Sequence, residues 1–346
     1  MKKVIWFMRG YSNLLNAIND LKNADKNNQF TIICSHSNPG FVGFESSDHN
    51  EVEPKCNDNE FLDYCEEIIK KYKVDVIFAT HRQVSLEKNR NRFRKIGATV
   101  VTAATHKTII SINDKAKLYH LLGGGPVKIP MHGVFNDIYS FNEQYKKIKK
   151  EFSEVCMKPT HGVYGLGFYI LKDKADDLSL FLNQEQKVSV KQFRKNIGTQ
   201  KFKEMILMQY LEGAERSVDC VAYNGTLVGG TIRRKSSSGI PQLIESNDEV
   251  MEQVRWITKK LKLNGIFNIQ FKDFEGIPYL LEINTRLSGK SFYSTLAGFN
   301  IPYVASLLFS GLKTVNEIKY DTVENLYISS ANYPVIAKQY KKFIDK

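Results

Sequence analysis

The sequence predicts a mixed fold: an N-terminal α/β domain built on a parallel, doubly wound sheet, followed by an α+β half. The first hundred or so residues alternate short apolar strands with amphipathic helices, an order typical of a parallel sheet covered on both faces. After residue 111 the pattern changes to longer strands joined by Gly and Asn-Gly turns, which indicate antiparallel hairpins. A length of 346 residues suits two or three domains of ordinary size.

The N-terminal domain is predicted to contain alternating strands and helices. Apolar side chains at helical spacing mark helices at 14–21 and 61–69, and apolar runs of strand length occupy 4–8, 30–34, 74–78 and 99–101. Ligands of such sheets gather at the carboxyl ends of the strands. No Gly-x-Gly-x-x-Gly follows the first strand, so the fingerprint of a dinucleotide site is missing.

The second half opens with a helix near Lys115, for which Asn113 or Asp114 is a suitable N-cap. The run Gly123-Gly124-Gly125-Pro126 then ends that helix. Asn224-Gly225 predicts a tight hairpin after the alternating strand 216–223. Strands at 266–271 and 278–283 flank an acidic turn at 273–276, and residues after about 311 are expected to form a short C-terminal extension.

Composition and charge exclude several classes of protein. The chain is 42% hydrophobic and 25% charged, which is ordinary globular usage, and no apolar run approaches the roughly 20 residues that cross a bilayer. The apolar run near residue 1 is too short for a signal peptide. The 5 cysteines contain no Cys-x-x-Cys pair, and with no export signal a reducing cytoplasm is the expected location. The excess of 49 Lys+Arg over 37 Asp+Glu gives a net charge of +12, which suits either nucleic acid or an anionic small molecule.

A first group of candidate site residues lies in a glycine-containing loop after Lys158. The sequence Lys158-Pro159-Thr160-His161-Gly162-Val163-Tyr164-Gly165-Leu166-Gly167 follows an apolar strand. Glycines let backbone N–H groups point at a phosphate, and the lysine adds a positive charge. A glycine-rich hairpin beside an ordinary surface lysine would look the same.

A second group lies on a strand near residue 284. Glu282, Asn284 and Arg286 are two residues apart, so on a strand they would share one face, opposite the apolar Leu281 and Ile283. Carboxylate and amide oxygens are ligands that Mg²⁺ accepts, and Gln270 on the preceding strand could add another. Arg286 beside such a site suits a transferring phosphoryl group. The alternative is a solvated strand face with a Glu282–Arg286 pair.

Together the two groups resemble the ATP-grasp superfamily, in particular its carbamoyl-phosphate-synthase-like and biotin-carboxylase-like ligase branch. The resemblance covers about 111–309, and its most specific part is Leu281-Glu282-Ile283-Asn284-Thr285-Arg286-Leu287-Ser288-Gly289, supported by the segment 208–219. It implies an N-terminal Rossmann-like domain at 1–110 and an ATP-grasp domain at 111–315. The latter would have a small lobe at about 125–205 and a large lobe at about 206–315, with an extension at 316–346.

The resemblance also implies roles for individual residues. The phosphates and adenine of ATP would be bound by Lys115, Lys158, the loop residues His161, Gly162, Gly165 and Gly167, and the hinge residues Gln209, Tyr210 and Leu211, with Glu215 on the ribose. Metal ligands would be Gln270, Glu282 and Asn284. Arg286 would steady the acyl-phosphate together with Lys158, and the substrate would contact the basic segment 233–235, in particular Arg234 and Lys235, and then Ser288 and Gly289.

The expected activity is that of a carboxylate–amine ligase that uses ATP with Mg²⁺, or Mn²⁺ in its place. A small carboxylate would be phosphorylated to an acyl-phosphate, which an amine would then attack, releasing ADP and phosphate. Alternatives are a non-catalytic ATP-binding regulatory module, a bicarbonate-activating carbamoyl or carboxyl transferase, and an RNA-binding protein whose affinity would fall steeply with salt. No membrane partner is expected, nucleic acid is disfavoured, and a homodimer is the commonest assembly on general grounds. The arginine-rich stretch at 82–95 is interpreted as a solvated helix face. His81 and the segment 9–12 lie where a doubly wound sheet places ligands, so His81 is expected to cap a loop or, alternatively, to contact the substrate.

Overall fold

The computed structural model describes residues 2–10, 13–162, 166–173 and 186–331. The chain divides into two compact units, and the first of them is assembled from three separate stretches, 1–110, 214–270 and 283–346. The second unit consists of 111–213 and 271–282. The predicted division into an N-terminal domain, two lobes and an extension stays a prediction.

The N-terminal segment forms a five-stranded parallel sheet in the order β3-β2-β1-β4-β5, which confirms the predicted parallel architecture. Its strand β3 was not predicted, because this edge strand is short and mostly polar and pairs only with β2. The elements are β1 (Lys3–Phe7), α1 (Leu14–Ala24), β2 (Phe30–His36), β3 (His49–Val52), α2 (Asp58–Tyr72), β4 (Val76–Phe78), α3 (Gln83–Lys88), α4 (Arg90–Arg94), β5 (Thr99–Val101) and α5 (His106–Ile112).

Apolar side chains cover both faces of this sheet, as a doubly wound arrangement requires. One face packs Trp6, Ile33 and Ile77 against helix α2 through Phe61 and its neighbours. The other face packs residues of β1 and α1 together with side chains from 221 and 287–308, so late parts of the chain complete the core of the first sheet.

A second, five-stranded sheet forms the second unit, in the order β6-β10-β7-β8-β9. Strand β10 is antiparallel to both β6 and β7, and it therefore joins the edge strand β6 to the central strand β7. The elements are α6 (Lys115–Leu122), β6 (His132–Phe135), α7 (Ile138–Lys149), β7 (Val155–Pro159), β8 (Tyr169–Lys172), β9 (Lys187–Ser189), α8 (Val190–Ile197) and β10 (Met205–Gln209).

The third sheet has six strands in the order β15-β14-β11-β12-β13-β16, and the tip of its β14–β15 hairpin belongs to the second unit. Asn224 and Gly225 adopt φ values of 49° and 83°, which confirms the predicted tight turn. Glu275 and Gly276 form the second predicted turn with φ values of 52° and 79°. The elements are β11 (Glu215–Tyr223), β12 (Thr226–Lys235), β13 (Gln242–Glu245), α9 (Asp248–Leu261), β14 (Gly265–Phe274), β15 (Ile277–Asn284), α10 (Phe292–Leu296), α11 (Ile301–Phe309) and β16 (Leu326–Ile328).

All five cysteines lie in the described part of the chain as free thiols. Every helix described here is too short or too polar to cross a bilayer.

Candidate active site

Lys115, predicted to bind phosphate, is the first residue of α6 and is only 7% exposed. The Asp114 carboxylate caps the helix by accepting hydrogen bonds at 3.1 and 3.2 Å from two backbone N–H groups of its first turn, which confirms the predicted N-cap. The Lys115 ammonium donates to the carbonyl oxygen of Gly162 at 3.2 Å and lies 3.4 Å from Oε2 of Glu282. A buried cation requires such oxygen partners because it has lost most of its water. The structure therefore joins a predicted phosphate ligand, the predicted phosphate loop and a predicted metal ligand.

The strand end that carries Glu282 is held against α6. The hydroxyl of the buried Tyr119 donates to the carbonyl oxygen of Leu281 at 2.8 Å. The backbone N–H of Leu280 donates to the carbonyl oxygen of Lys128 at 2.9 Å. Because the two residues before Glu282 are fixed in this way, the fold of the second unit sets the position of Glu282 relative to Lys115.

The loop after Lys158 begins at a fixed point and is described up to Gly162 and again from Leu166. The carbonyl oxygen of Thr160 accepts the backbone N–H of Lys115 at 3.0 Å, which ties the start of the loop to α6. The His161 ring is mostly exposed, with Nε2 3.9 Å from an Asp114 carboxylate oxygen. Gly167 has a φ of +75° and a Cβ there would approach Pro159 to 2.9 Å, so this position requires glycine. The predicted phosphate ligand Gly165 lies outside the described residues.

Lys158 lies on the central strand β7, opposite Ile206 of β10, and its side chain is half-buried. The strand also carries Cys156, which is almost completely buried. Burial raises the pKa of the Cys156 thiol to about 12, against the opposing effect of the Lys158 charge. This thiol is therefore a packing residue, and the role of Lys158 in phosphate binding stays a prediction.

The predicted adenine hinge, Gln209 to Leu211, has one side-chain amide without a partner among the described residues, beside an apolar cluster. The backbone N–H of Gln209 donates to Met131 at 3.0 Å and that of Tyr210 donates to Glu154 at 3.0 Å. The side-chain oxygen of the buried Gln209 accepts the Met131 N–H at 2.8 Å, while its Nε2 has no partner among the described residues. The cluster around this hinge contains Cys156, Met208, Leu211, Phe168, Tyr210, Phe274, Tyr279 and Leu281. A buried amide donor without a partner beside apolar and aromatic side chains suits a purine ring, which offers nitrogen acceptors and a flat apolar face.

The first unit holds Gln270 near the middle of β14 and Asn284 at the end of β15. The prediction that Arg286 continues the same strand face is wrong, because β15 ends at Asn284. The carbonyl oxygen of Thr285 instead accepts the side-chain amide of Gln83 at 2.7 Å, and the Arg286 guanidinium donates to the carbonyl oxygen of Leu287 at 3.1 Å. Arg286 is thus placed by a bend anchored to the N-terminal sheet and not by strand alternation.

The predicted ribose and substrate residues have partners within the first unit. Glu215 forms an ion pair with Lys235 across β11 and β12. Arg234 is the most open of the basic residues, with a side chain that is 49% exposed and lies 3.9 Å from Glu245. Gly289 is exposed, whereas Ser288 is buried and its carbonyl oxygen accepts the Asn13 amide at 2.7 Å.

Arg233 is the centre of a buried polar network that the sequence did not reveal. Its guanidinium donates to Asp219 at 2.7 Å, to Ser217 at 3.1 Å and to the hydroxyl of Ser288 at 2.8 Å, and it also contacts Gln242. Both side chains of the Arg233–Asp219 ion pair are 2% exposed. Arg233 therefore supports the segment that follows Arg286 and does not face a substrate directly. The sequence signal that could have indicated this is strand alternation, which places Arg233 and the exposed Arg234 on opposite faces.

A second missed residue is Glu53, whose buried carboxylate lies 3.1 Å from Nε2 of His81. It follows the unpredicted strand β3, so no local pattern indicates that it lies at the carboxyl edge of the sheet. His81, expected to cap a loop or to contact the substrate, has this carboxylate as its partner.

The three predicted metal ligands can be assessed by the donor atoms of their side chains. Gln270, Glu282 and Asn284 offer oxygens only, and among the described residues no group of three or more His, Cys, Asp or Glu is arranged to hold a metal. One carboxylate and two amides suit Mg²⁺ that also binds water and phosphate oxygens. The chemistry of the three side chains is therefore of the type that Mg²⁺ accepts, and their role as ligands stays a prediction.

Comparisons with known proteins concern the family and the fold of the chain. Residues 201–330 match a family described as ATP-grasp in the biosynthetic pathway with Ter operon. The carbamoyl phosphate synthase large chain of Clostridium beijerinckii is 26% identical over 326 residues, which cover 89% of this chain. The alignment spans only 28% of that relative's own length.

Solved structures share the fold at low sequence identity. The N5-carboxyaminoimidazole synthetase of Staphylococcus aureus in complex with ADP has a TM-score of 0.65 at 14% identity, covering 95% of this chain and 81% of the other. The L-amino acid ligase of Bacillus licheniformis has a TM-score of 0.61 at 13% identity, covering 92% and 78% of the two chains. At these identities the likeness establishes the fold.

Proposed function

We propose that this chain, an ATP-grasp protein of the carbamoyl-phosphate-synthase-like branch, is an ATP-dependent ligase that joins a small carboxylate to an amine. The observation that carries the proposal is the position of the Lys115 ammonium, 3.2 Å from the Gly162 carbonyl oxygen and 3.4 Å from the Glu282 carboxylate. A buried lysine between a glycine loop and a metal-type carboxylate suits the phosphates of a bound nucleotide. The ADP complex of the S. aureus synthetase and the name of the B. licheniformis ligase support the same class of reaction.

In the proposed reaction a carboxylate oxygen of the substrate bonds to the γ-phosphorus of ATP, and the bridging oxygen leaves with ADP. The amine nitrogen then attacks the acyl carbon, the C–O bond to phosphate breaks, and the amine loses a proton. Lys115, Lys158 and Arg286 would neutralise the charge that develops on the phosphoryl oxygens. Positioning of the two substrates supplies the rest of the rate.

Mg²⁺ would be held by Gln270, Glu282 and Asn284, and when bound it neutralises phosphate charge. Gln209, Tyr210 and Leu211 would bind adenine, with the unused Nε2 of Gln209 as an additional donor. Arg234 and Lys235 remain the proposed contacts to the acyl substrate.

The proposal is tested by measuring ADP release with Mg²⁺ over a panel of amino acids and small carboxylates, each with and without amine acceptors. A ligase releases ADP only when a particular carboxylate and amine are both present. ADP release with bicarbonate alone would replace the proposal by a bicarbonate-activating enzyme. Saturable ATP binding without ADP release from any pair would replace it by a regulatory module.

Replacing Glu282 with Gln tests the metal role. Glu282→Gln keeps one oxygen but removes the charge, so we expect the Mg²⁺ concentration for half-maximal turnover to rise by about tenfold or more. Titration of ADP release against Mg²⁺ measures this, with Glu249→Gln on the exposed face of α9 as the control. An unchanged Mg²⁺ dependence would remove Glu282 from the metal site.

A further inference from the structure

A cleft of about 320 Å³ opens at the carboxyl end of the N-terminal sheet. Arg9 follows β1, Glu53 follows β3 and His81 lies in the loop after β4, so the loops of neighbouring parallel strands converge on it. The strand order reverses between β1 and β4, where ligands of such sheets gather. The volume is at the lower end of the range for small-molecule pockets, about 300–1,000 Å³.

The floor of the cleft is the buried carboxylate of Glu53. It accepts hydrogen bonds from the Ser35 hydroxyl at 2.8 Å and from the Arg9 backbone N–H at 3.1 Å, and it lies 3.1 Å from Nε2 of His81. Ser35 in turn accepts the indole N–H of Trp6 at 2.8 Å. Burial raises the pKa of Glu53, but its hydrogen bonds and the nearby His81 outweigh this effect and lower the pKa below its usual value. The ionised carboxylate is therefore fully used in fixing the cleft.

The cations around the cleft differ in whether they already have partners. Arg82 is committed, because it binds Asp58 at 2.8 Å and the carbonyl oxygen of Cys56 at 2.6 Å and lies over the ring of Phe61. The side chains of Arg9 and Lys55 line the same cleft and have no hydrogen-bond or ion-pair partner among the described residues. Arg9 differs from an ordinary surface cation because its backbone N–H is held by the buried Glu53, and Lys55 adds a second positive charge to the same cleft.

We propose that this cleft binds the anionic group of a small substrate, a carboxylate or a phosphate, through Arg9 and Lys55, with His81 held by Glu53 as a polar wall. The identification of this molecule as a substrate rests on the proposed ligase function, whereas the site itself does not. Charge-assisted hydrogen bonds from arginine and lysine are the strongest contacts that such a group can make in a small cleft.

The site is tested first by binding without ATP. Because the Trp6 N–H is linked to Glu53 through Ser35, its ¹⁵N-indole NMR signal reports on the cleft, and Trp256→Phe assigns it. The probes are inorganic phosphate and succinate, added separately at constant ionic strength. We expect a saturable shift of the Trp6 signal with at least one probe, and the effective probe identifies the phosphate or the carboxylate.

The double variant Arg9→Met/Lys55→Met should weaken this binding by about tenfold or more. The matched control, Lys88→Met/Arg94→Met, removes the same charge from exposed positions outside the cleft and should leave the binding unchanged. Because Arg9 and Lys55 are exposed, the double variant should keep the thermal midpoint of the parent chain. The absence of a saturable shift with both probes, or equal affinity in the two double variants, would overturn the site.

Turnover separates this site from the ligase proposal. If the ADP-release panel identifies a substrate pair, Arg9→Met/Lys55→Met should raise the KM of one substrate by about tenfold and leave the KM of ATP unchanged. Unaltered KM values for both substrates would contradict the site while the ligase function stands. If no pair releases ADP, the ligase proposal fails and the probe titration alone decides the site.

Discussion

Two adjacent arginines show how strongly the environment of a single residue determines its role. Arg233 is buried in a network with Asp219, Ser217 and Ser288, whereas Arg234 is half exposed. The alternation of a β-strand places the two side chains on opposite faces. The sequence predicts one basic segment, but only the structure separates the supporting arginine from the accessible one, because the partners of Arg233 lie 9 to 55 residues away in the chain.

This difference predicts unequal effects on stability. Arg233→Met leaves the charge of the buried Asp219 without its partner, so we expect the free energy of unfolding to fall by about 3–5 kcal/mol. Arg234→Met removes an exposed group and should change it by no more than about 0.5 kcal/mol. Denaturant unfolding of both variants measures the two values. Similar losses of unfolding free energy in the two variants would show that Arg233 does not stabilise the buried charge of Asp219.

Arg286 predicts a different kind of loss. Arg286→Ala should lower kcat by about 10²–10³, because the guanidinium is proposed to act on the transferring phosphoryl group, while the ATP dissociation constant stays nearly unchanged. ADP release and isothermal titration with ATP provide the two measurements. Retained turnover would exclude the proposed role.

Individual elements were predicted well where local chemistry determines them. The Asn224-Gly225 turn, the acidic hairpin turn and the Asp114 cap depend on residues adjacent in sequence, and all three are present. Strand β3 was missed because it forms by pairing with β2, which is distant in sequence. The strand face of Glu282 and Asn284 was extended too far, to Arg286, because a contact with the distant Gln83 fixes the bend after Asn284. The candidate site follows the same division, since its motifs could be predicted from sequence whereas Glu53 could not.

The cap of α6 gives a prediction at the level of one helix. Asp114→Ala should cost about 1 kcal/mol of stability, as should Asn57→Ala at the capping box of α2. Only the Asp114 variant should also raise the KM of ATP, because α6 begins with Lys115. Thermal or denaturant unfolding together with ATP titration of both variants checks this. Equal ATP affinities of the two variants would show that the Asp114 cap does not influence ATP binding.

Across the whole molecule, the charge of +12 is divided among distinct tasks. Lys115 lies in the candidate nucleotide site, Arg233 supports a buried network, and Arg9 and Lys55 line the cleft of the N-terminal sheet. Much of the remaining excess is on exposed helix positions such as Lys88 and Arg94. The net charge by itself is therefore not evidence for a polyanionic partner.

Acid stability of the whole chain should depend on Glu53. Its pKa is lower in the folded state than the usual value of 4.5, so it contributes stability above that pH, and the contribution is lost as pH falls through the folded pKa. Glu53→Gln should therefore show a flatter fall of unfolding free energy below about pH 5 than the parent chain. Urea unfolding at a series of pH values measures the slopes, with the exposed Glu67→Gln as the control. Parallel slopes for Glu53→Gln and the parent would contradict the assignment.

The discontinuous first unit has a consequence for the order in which the protein can fold during synthesis. Strand β1 is translated almost 300 residues before Phe299, Ile301 and Leu308, which pack in the same core. The second unit is contained between these stretches and needs no residue beyond 282. Contacts between distant residues form slowly, and apolar surface left uncovered in the meantime favours aggregation. The nascent N-terminal sheet must therefore wait for residues 299–308 to complete its core, whereas all residues of the second unit are translated before them.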